Sequence, residues 1–170
     1  TLNISHWTQC NCGCIYCARM RDSKGKITYT AGKSEYYDML PLLKDLYAQE
    51  LLDRENLMVA IQGGDISVLS EFEDIVNECL KNGVGSFYIL SNNIKYQPVI
   101  QHLLDLNKAT FTTSLDCADR DVFRKLKRVD NFEDSVNNLK KYAQSKNPQN
   151  VIVKYIIVEN YNDNVKEVKN

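Results

Sequence analysis

Four of the chain's six cysteines stand within eight positions, in "CNCGCIYC" from Cys10 to Cys17. Thiols this close serve as a disulfide staple, a structural zinc site, or a metal cluster that does chemistry. Cys10, Cys14 and Cys17 are spaced C-x3-C-x2-C, and Cys12 is the extra thiol. Three thiolates from one short loop can bind three irons of a 4Fe–4S cluster, whereas clusters held wholly by protein generally take four cysteines. The fourth iron is then open to an outside ligand, and an open coordination position marks a reactive metal site. Zinc could nominally use all four thiols, but structural zinc sites usually draw two pairs from separated segments. A closed cluster with Cys12 as the fourth ligand would instead make a ferredoxin-like electron carrier. Cys79 and Cys117 stand apart, and a lone cysteine is ordinarily a small buried hydrophobe.

The elements that must position these thiols follow from short apolar runs alternating with longer amphipathic ones. "LNIS" (2–5), "LMVAI" (57–61), "SFYIL" (86–90), "TFTTSL" (110–115) and "VIVKYIIV" (151–158) predict five strands. Runs this continuous suit strands covered on both faces. Ser34 to Leu52 has a helical pattern with a kink or a later start at Pro41. Ser70 and Glu73 form a capping box before the stripe Phe72, Ile75, Val76, Cys79 and Leu80, and Gly83 stands where that helix stops. Pro98 opens a helix carrying Val99, Leu103 and Leu104. Asn131 with Asp134 opens another, with Val136, Leu139, Tyr142 and Ala143 available to pack. The polar stretch 21–33, with two glycines, reads as a linker.

Five strands and four helical connections make a parallel α/β sheet or an incomplete (β/α) barrel. Functional loops of such folds lie at the carboxyl ends of the strands. The cysteines, "QGGD" (62–65), "SNN" (91–93), "DCAD" (116–119) and "ENYND" (159–163) all fall there.

Placed directly after a first strand, with Tyr16 before the last cysteine, C-x3-C-x2-C resembles the signature of the radical S-adenosylmethionine (SAM) enzymes. "QGGD" resembles the family's GGE motif, "TSLDCADRDVFRKLKR" its fourth-strand region and "KYIIVENYND" its fifth. The resemblance covers the whole chain and implies a TIM-like partial (β/α) barrel forming one core domain over residues 1–170. It implies an oxygen-sensitive 4Fe–4S cluster on Cys10, Cys14 and Cys17 and SAM on the open iron. It further implies a reductant such as flavodoxin or ferredoxin. Reductive cleavage of SAM to a 5′-deoxyadenosyl radical, which takes hydrogen from a substrate, is the implied reaction. The protein's part is to hold the cofactor, exclude water and aim the radical.

The resemblance also implies roles for strand-end residues. Gly63 and Gly64 let backbone approach the methionine moiety, where a side chain would occupy its space. Asp65 accepts a hydrogen bond from the SAM amino group, although the family more often has the longer Glu there. Ser91, Asn92, Ser114 and Asp116 are placed to bind ribose hydroxyls or the methionine carboxylate; each is equally a residue that caps turns. Lys154, the sole charge in its strand, is a candidate for the SAM carboxylate. Asn160 and Asn162 follow that strand, where the family places adenine or ribose contacts. Tyr16 packs on the adenine or shields the cluster from water. His6 and Trp7 flank the cysteine loop, and Arg19 and Arg21, just past it, are candidates for an anionic substrate.

The family's core has six β/α units and this sequence offers five, so the 170 residues read as part of a longer protein. The substrate, a peptide, a protein or a small molecule, is not legible, though "KYIIVENYND" looks more like the peptide- and protein-maturing branch. A non-catalytic cluster protein, either electron carrier or regulatory domain, is the alternative. With 21 basic residues against 22 acidic, no basic face recommends a nucleic-acid or anionic-membrane partner. No run of about eighteen apolar residues suggests a membrane span. Clustered cysteines and no visible secretory leader point to the cytoplasm. If Cys12 is a bystander, Cys12→Ala leaves the iron and sulfide content of the anaerobically reconstituted protein unchanged. A closed four-cysteine cluster would lose a ligand, and its iron content would fall.

Overall fold

The computed structural model describes residues 1–17, 37–54 and 56–164; the expected linker, Arg19 and Arg21 lie outside them. Strands β1 (Leu2–Ile4), β2 (Met58–Ile61), β3 (Ser86–Ser91), β4 (Ala109–Ser114) and β5 (Val151–Lys154) form one parallel sheet in chain order. β1 and β5 are its edges, so the sheet is an open, partial barrel rather than a closed one. Helices α1 (Met39–Ala48), α2 (Phe72–Lys81) and α3 (Pro98–Asp105) fill the first three connections. The last holds two, α4 (Arg120–Lys127) and α5 (Phe132–Tyr142), where the sequence suggests only the second.

Alternation along the strands decides where the core sits. Val59 and Ile61 of β2, Phe87 and Ile89 of β3, and Phe111 of β4 share one face by register. They form a single buried cluster with Leu43, Tyr47, Phe72, Ile75, Val76, Cys79, Val99, Ile100, Leu103 and Leu104 of the helices. Each such fully buried large side chain contributes about 1.5–3 kcal/mol. The opposite face is only partly covered. Tyr88 and Leu90 are half-buried, and Asn3, Ile152 and Lys154 are exposed. Strands expected to be covered on both faces are thus covered mainly on one, because the helices that pack on the sheet do so from the same side.

Local signals decide the helix ends. Asp38 caps α1 by accepting from Leu40 N (3.2 Å), so the helix starts late and Pro41 falls in its first turn, where no N–H is required. The expected capping box at α2 is not formed: the residue before Phe72 is Glu71, with no side-chain cap, because a 3₁₀ turn at Ile66–Val68 brings the chain in and Glu71 turns to His6 instead. α2 ends as expected, with Gly83 at φ +83° and bonds from Gly83 N to Leu80 O (3.0 Å) and Val84 N to Cys79 O (3.1 Å).

The inner face of α5 is not the apolar stripe that Val136 and Leu139 suggest. Its buried residues are Ser135, Asn138 and Tyr142, while Ala143 is exposed. They grip the loop after β3. Ser135 Oγ donates to Asn92 O (3.1 Å), Asn138 Nδ2 to Asn93 O (3.1 Å) and Ile94 O (3.0 Å), and Tyr142 Oη accepts from Gln97 N (2.8 Å). A loop with its own backbone groups buried needs such partners.

Nothing lies within 4 Å of a Cβ built on Gly83, so Gly83→Ala meets only the left-handed backbone penalty. It is expected to lower unfolding free energy in urea by about 1–2 kcal/mol with an unchanged denaturant slope.

Candidate active site

The site begins with the approach to the cysteine loop, which runs straight over the turn after β2. Gln62 N donates to Ile4 O (3.0 Å), Gly64 N to Trp7 O (3.2 Å) and Asp65 N to Gln9 O (2.9 Å), extending the β1–β2 pairing beyond both strands. A Cβ on Gly64 would lie 1.8 Å from Gln9 O, and one on Gly63 would lie 2.6–2.8 Å from the Trp7 ring. The two glycines therefore admit the protein's own main chain and Trp7, whose Nε1 donates to Asp65 O (3.0 Å). His6, beside Trp7, is paired with Glu71 at 2.7 Å.

On its other side the cysteine loop is docked on the end of α4. Gly13 N donates to Lys127 O and Ile15 N to Leu126 O, both at 2.9 Å, which satisfies carbonyls a helix C-terminus leaves open. Ile15 packs with Cys117, Phe123 and Leu126 in a second apolar cluster beneath the loop. Asp119 caps α4 by accepting from Val122 N (2.9 Å). Cys117 is buried there with its Sγ on Leu115 O (3.5 Å), and Cys79 lies in the main core.

Between these two supports lies a cavity of about 160 Å³ faced by Cys10, Cys12, Cys14 and Cys17. Gly63, Gly64, Asp65, Ser91, Asn92 and Ser114 form the strand-end wall, with Leu90, Tyr16 and Lys127 completing it. The thiols differ in character. Cys14 is pulled down to about 6, chiefly by the hydrogen bond from the Cys12 thiol and further by the Lys127 charge. Cys10 is also lowered, first by its hydrogen bond with Cys12. Cys12 is raised by those same hydrogen bonds to Cys10 and Cys14, and by burial. Asn92 Nδ2 donates to Asn11 Oδ1 (2.5 Å) and reaches Cys10 Sγ at 3.6 Å. The thiolate is the form in which sulfur ligates metals.

The family model for the Radical SAM superfamily matches residues 4–170. The chain belongs to the radical SAM superfamily. No curated protein matches it at the sequence level. Among solved structures it is similar to Streptococcus suis SuiB, described as bound to the precursor peptide SuiA. The TM-score is 0.68 at 15% identity over 98% of this chain. That match covers 35% of SuiB, so the chain spans about a third of that protein's length, and the likeness is one of fold. Enzymes of that superfamily generally use an iron–sulfur cluster and SAM, with a reductant and a substrate. Among the described residues no helix is long and apolar enough to cross a membrane.

The donor set of this radical SAM chain suits a cluster rather than a single ion: soft thiols line one cavity, two of them shifted toward thiolate, while among the described residues no three His, Cys, Asp or Glu side chains are grouped to hold one metal ion. The cavity is smaller than the roughly 300–1,000 Å³ of ordinary cofactor sites. It includes Leu90 and Ser114 of the less-covered sheet face, so a larger molecule would extend along that face.

Several residues expected at the cofactor are hydrogen-bonded to one another or to neighbouring main chain. The carboxylate of Asp65 is 2% exposed. Its Oδ1 accepts from Ser67 N (2.9 Å), its Oδ2 from Asn92 N (2.6 Å), and both face Ser91 Oγ at 3.3 and 3.1 Å. Burial pushes its pKa up while these bonds pull the other way. The shorter side chain thus ties the turn after β2 to the end of β3.

Asp116 is fully buried at φ +65° and lies behind the cavity rather than in its wall. Its carboxylate binds Tyr16 Oη (2.5 Å), Ile156 N (2.7 Å) and the Lys127 ammonium. Burial is the main cause raising the Tyr16 hydroxyl pKa. Asn162 is buried as a brace, with Nδ2 on Asp116 O (2.6 Å) and Ile156 O (2.8 Å). Lys154 is exposed, although its register partner Ser114 lines the cavity. Asn160 is also exposed, and its N–H goes to Asp163 Oδ2 (3.2 Å).

Lys127 is the residue the sequence reading misses. Its signal was α4 itself: Asp119 as cap, then Val122, Phe123 and Leu126 at helical spacing. Because the atom facing Gly64 is a main-chain carbonyl that cannot move aside cheaply, Gly64→Ala is expected to lower stability by about 2–4 kcal/mol. Chemical denaturation of the metal-free protein measures this.

Proposed function

We propose that residues 1–170 are a radical SAM core domain in which Cys10, Cys14 and Cys17 hold a 4Fe–4S cluster. The lining of one cavity by the three thiols, with strand-end polar groups forming its other wall, carries this reading. Held by Cys10, Cys14 and Cys17, such a cluster would supply the electron for reductive cleavage of SAM and so the radical chemistry that takes hydrogen from a substrate.

The chain's own residues hold and shape that site. Asp65 and Ser91 lock the two glycines against the approach to the cysteine loop. Asn92 directs an N–H toward the Cys10 sulfur, a contact of the kind that fixes a ligand and tunes its metal. Tyr16 shields the cavity on the α4 side. Ser114 in the cavity and Lys154 beside it in register are positioned for a ribose hydroxyl and a carboxylate along the less-covered face. A peptide or protein substrate is favoured by the character of the fifth-strand motif and supported by the peptide bound in SuiB. The electron would come from a flavodoxin- or ferredoxin-type reductant in the cytoplasm.

One observation favours a second reading: Cys12 faces the same cavity, as a fourth ligand of a closed electron-carrier cluster would. The C-x3-C-x2-C spacing of Cys10, Cys14 and Cys17 in a radical SAM chain supports the first reading. EPR of the anaerobically reconstituted, reduced protein separates the two. A 4Fe–4S signal whose shape changes on adding SAM is expected; a signal indifferent to SAM overturns the open-iron reading.

A further inference from the structure

Lys127 is 1% exposed, and a lysine buried so fully must have its charge satisfied inside the protein. An ammonium has three N–H donors. They meet Tyr16 Oη (2.5 Å), Ser114 O (2.8 Å) and Asp116 Oδ2. With all three taken, the group has no donor left for a ligand, yet it forms part of the cavity wall with the cysteines. Its counter-charge lies on the other side, since Asp116 is fully buried and outside the lining. The pair is therefore oriented, with its positive end toward the thiols. The same residue also holds the cysteine loop through its main chain, by accepting from Gly13 N (2.9 Å).

We propose that Lys127 is a positioning residue for electron entry, a buried cation that raises the potential at which the cluster on Cys10, Cys14 and Cys17 is reduced. This rests on the cluster assignment made above. The step is a one-electron reduction: the external reductant is oxidised, the cluster gains one negative charge, and no bond or proton moves. A fixed positive charge in a low-dielectric wall favours the more negative cluster, and burial keeps solvent from screening it. Tyr16 belongs to the same arrangement. Its hydroxyl joins both charges, and the ammonium sits beyond that hydroxyl at the ring edge, 5.2 Å from the ring centroid.

The test is a dithionite-poised redox titration of the reconstituted protein, followed by EPR, on the unsubstituted chain and three variants. Lys127→Met leaves Asp116 buried and unpaired and invites misfolding. The double variant Lys127→Met/Asp116→Asn removes both charges and carries the test if the single variant does not fold. Tyr16→Phe keeps the charge and loses only the hydroxyl. A lower midpoint potential is expected in every iron-loaded variant lacking Lys127, with Tyr16→Phe close to the unsubstituted chain. A double variant that loads iron and keeps the original potential overturns the proposal, because a merely structural lysine would change melting temperature alone. If the unsubstituted chain itself takes up no iron, the cluster assignment fails, and that outcome is visible before any variant is compared.

Discussion

The thiols sit on a segment with hardly any regular structure, and its main-chain hydrogen bonds to two neighbours fix where they point. One neighbour is the turn after β2, reached through Trp7 and Gln9; the other is the last turn of α4, reached through Gly13 and Ile15. An irregular loop loses conformational entropy on ordering without the return of its own ladder. Here that cost is offset by donors and acceptors which the adjacent elements would otherwise leave open. The glycines, the α4 C-terminus and the Asp65 clamp all serve this one requirement.

Much of the frame was legible in the sequence because strands and their polar ends follow simple rules. All five strands fall on the apolar runs, and the cysteine and "GGD" turns emerge at the same end of the sheet. Less legible were features whose reasons lie in tertiary contacts. Gly63 and Gly64 signal close approach, but only the structure shows that Trp7 and Gln9 are what approaches. Asp65 signals a carboxylate at a strand end, not that its oxygens are already occupied by neighbouring groups. In the described parts of the molecule, α5 illustrates the same limit. Ser135 and Asn138 look like a solvent face, and only the loop they hold makes them interior.

Lys127 went unread for a different reason. The stretch "RDVFRKLKR" carries alternating charges, and such a helix is ordinarily a solvated one. Arg124 and Lys125 indeed face outward. Position 127 differs because the end of α4 tucks beneath the cysteine loop, where Asp116 waits in a left-handed conformation. Nothing local marks which of several basic residues will be the buried one. The partner that decides it is eleven residues away, and Tyr16 is 111 residues away.

That long reach bears on how the chain matures. Tyr16 meets Asp116 across 100 residues, and Asp116 in turn takes Ile156 N and accepts Asn162 Nδ2 at its own carbonyl. Contacts of such separation form late, because the intervening chain must be ordered first. During synthesis the cysteine segment emerges well before residue 162, yet it finds its complete setting only after that residue has left the ribosome. Until then its thiols are exposed to stray metals and oxidants. The cysteine segment is therefore made before its partners and finished with them, and in between the nascent chain depends on its cellular surroundings to keep those sulfurs reduced.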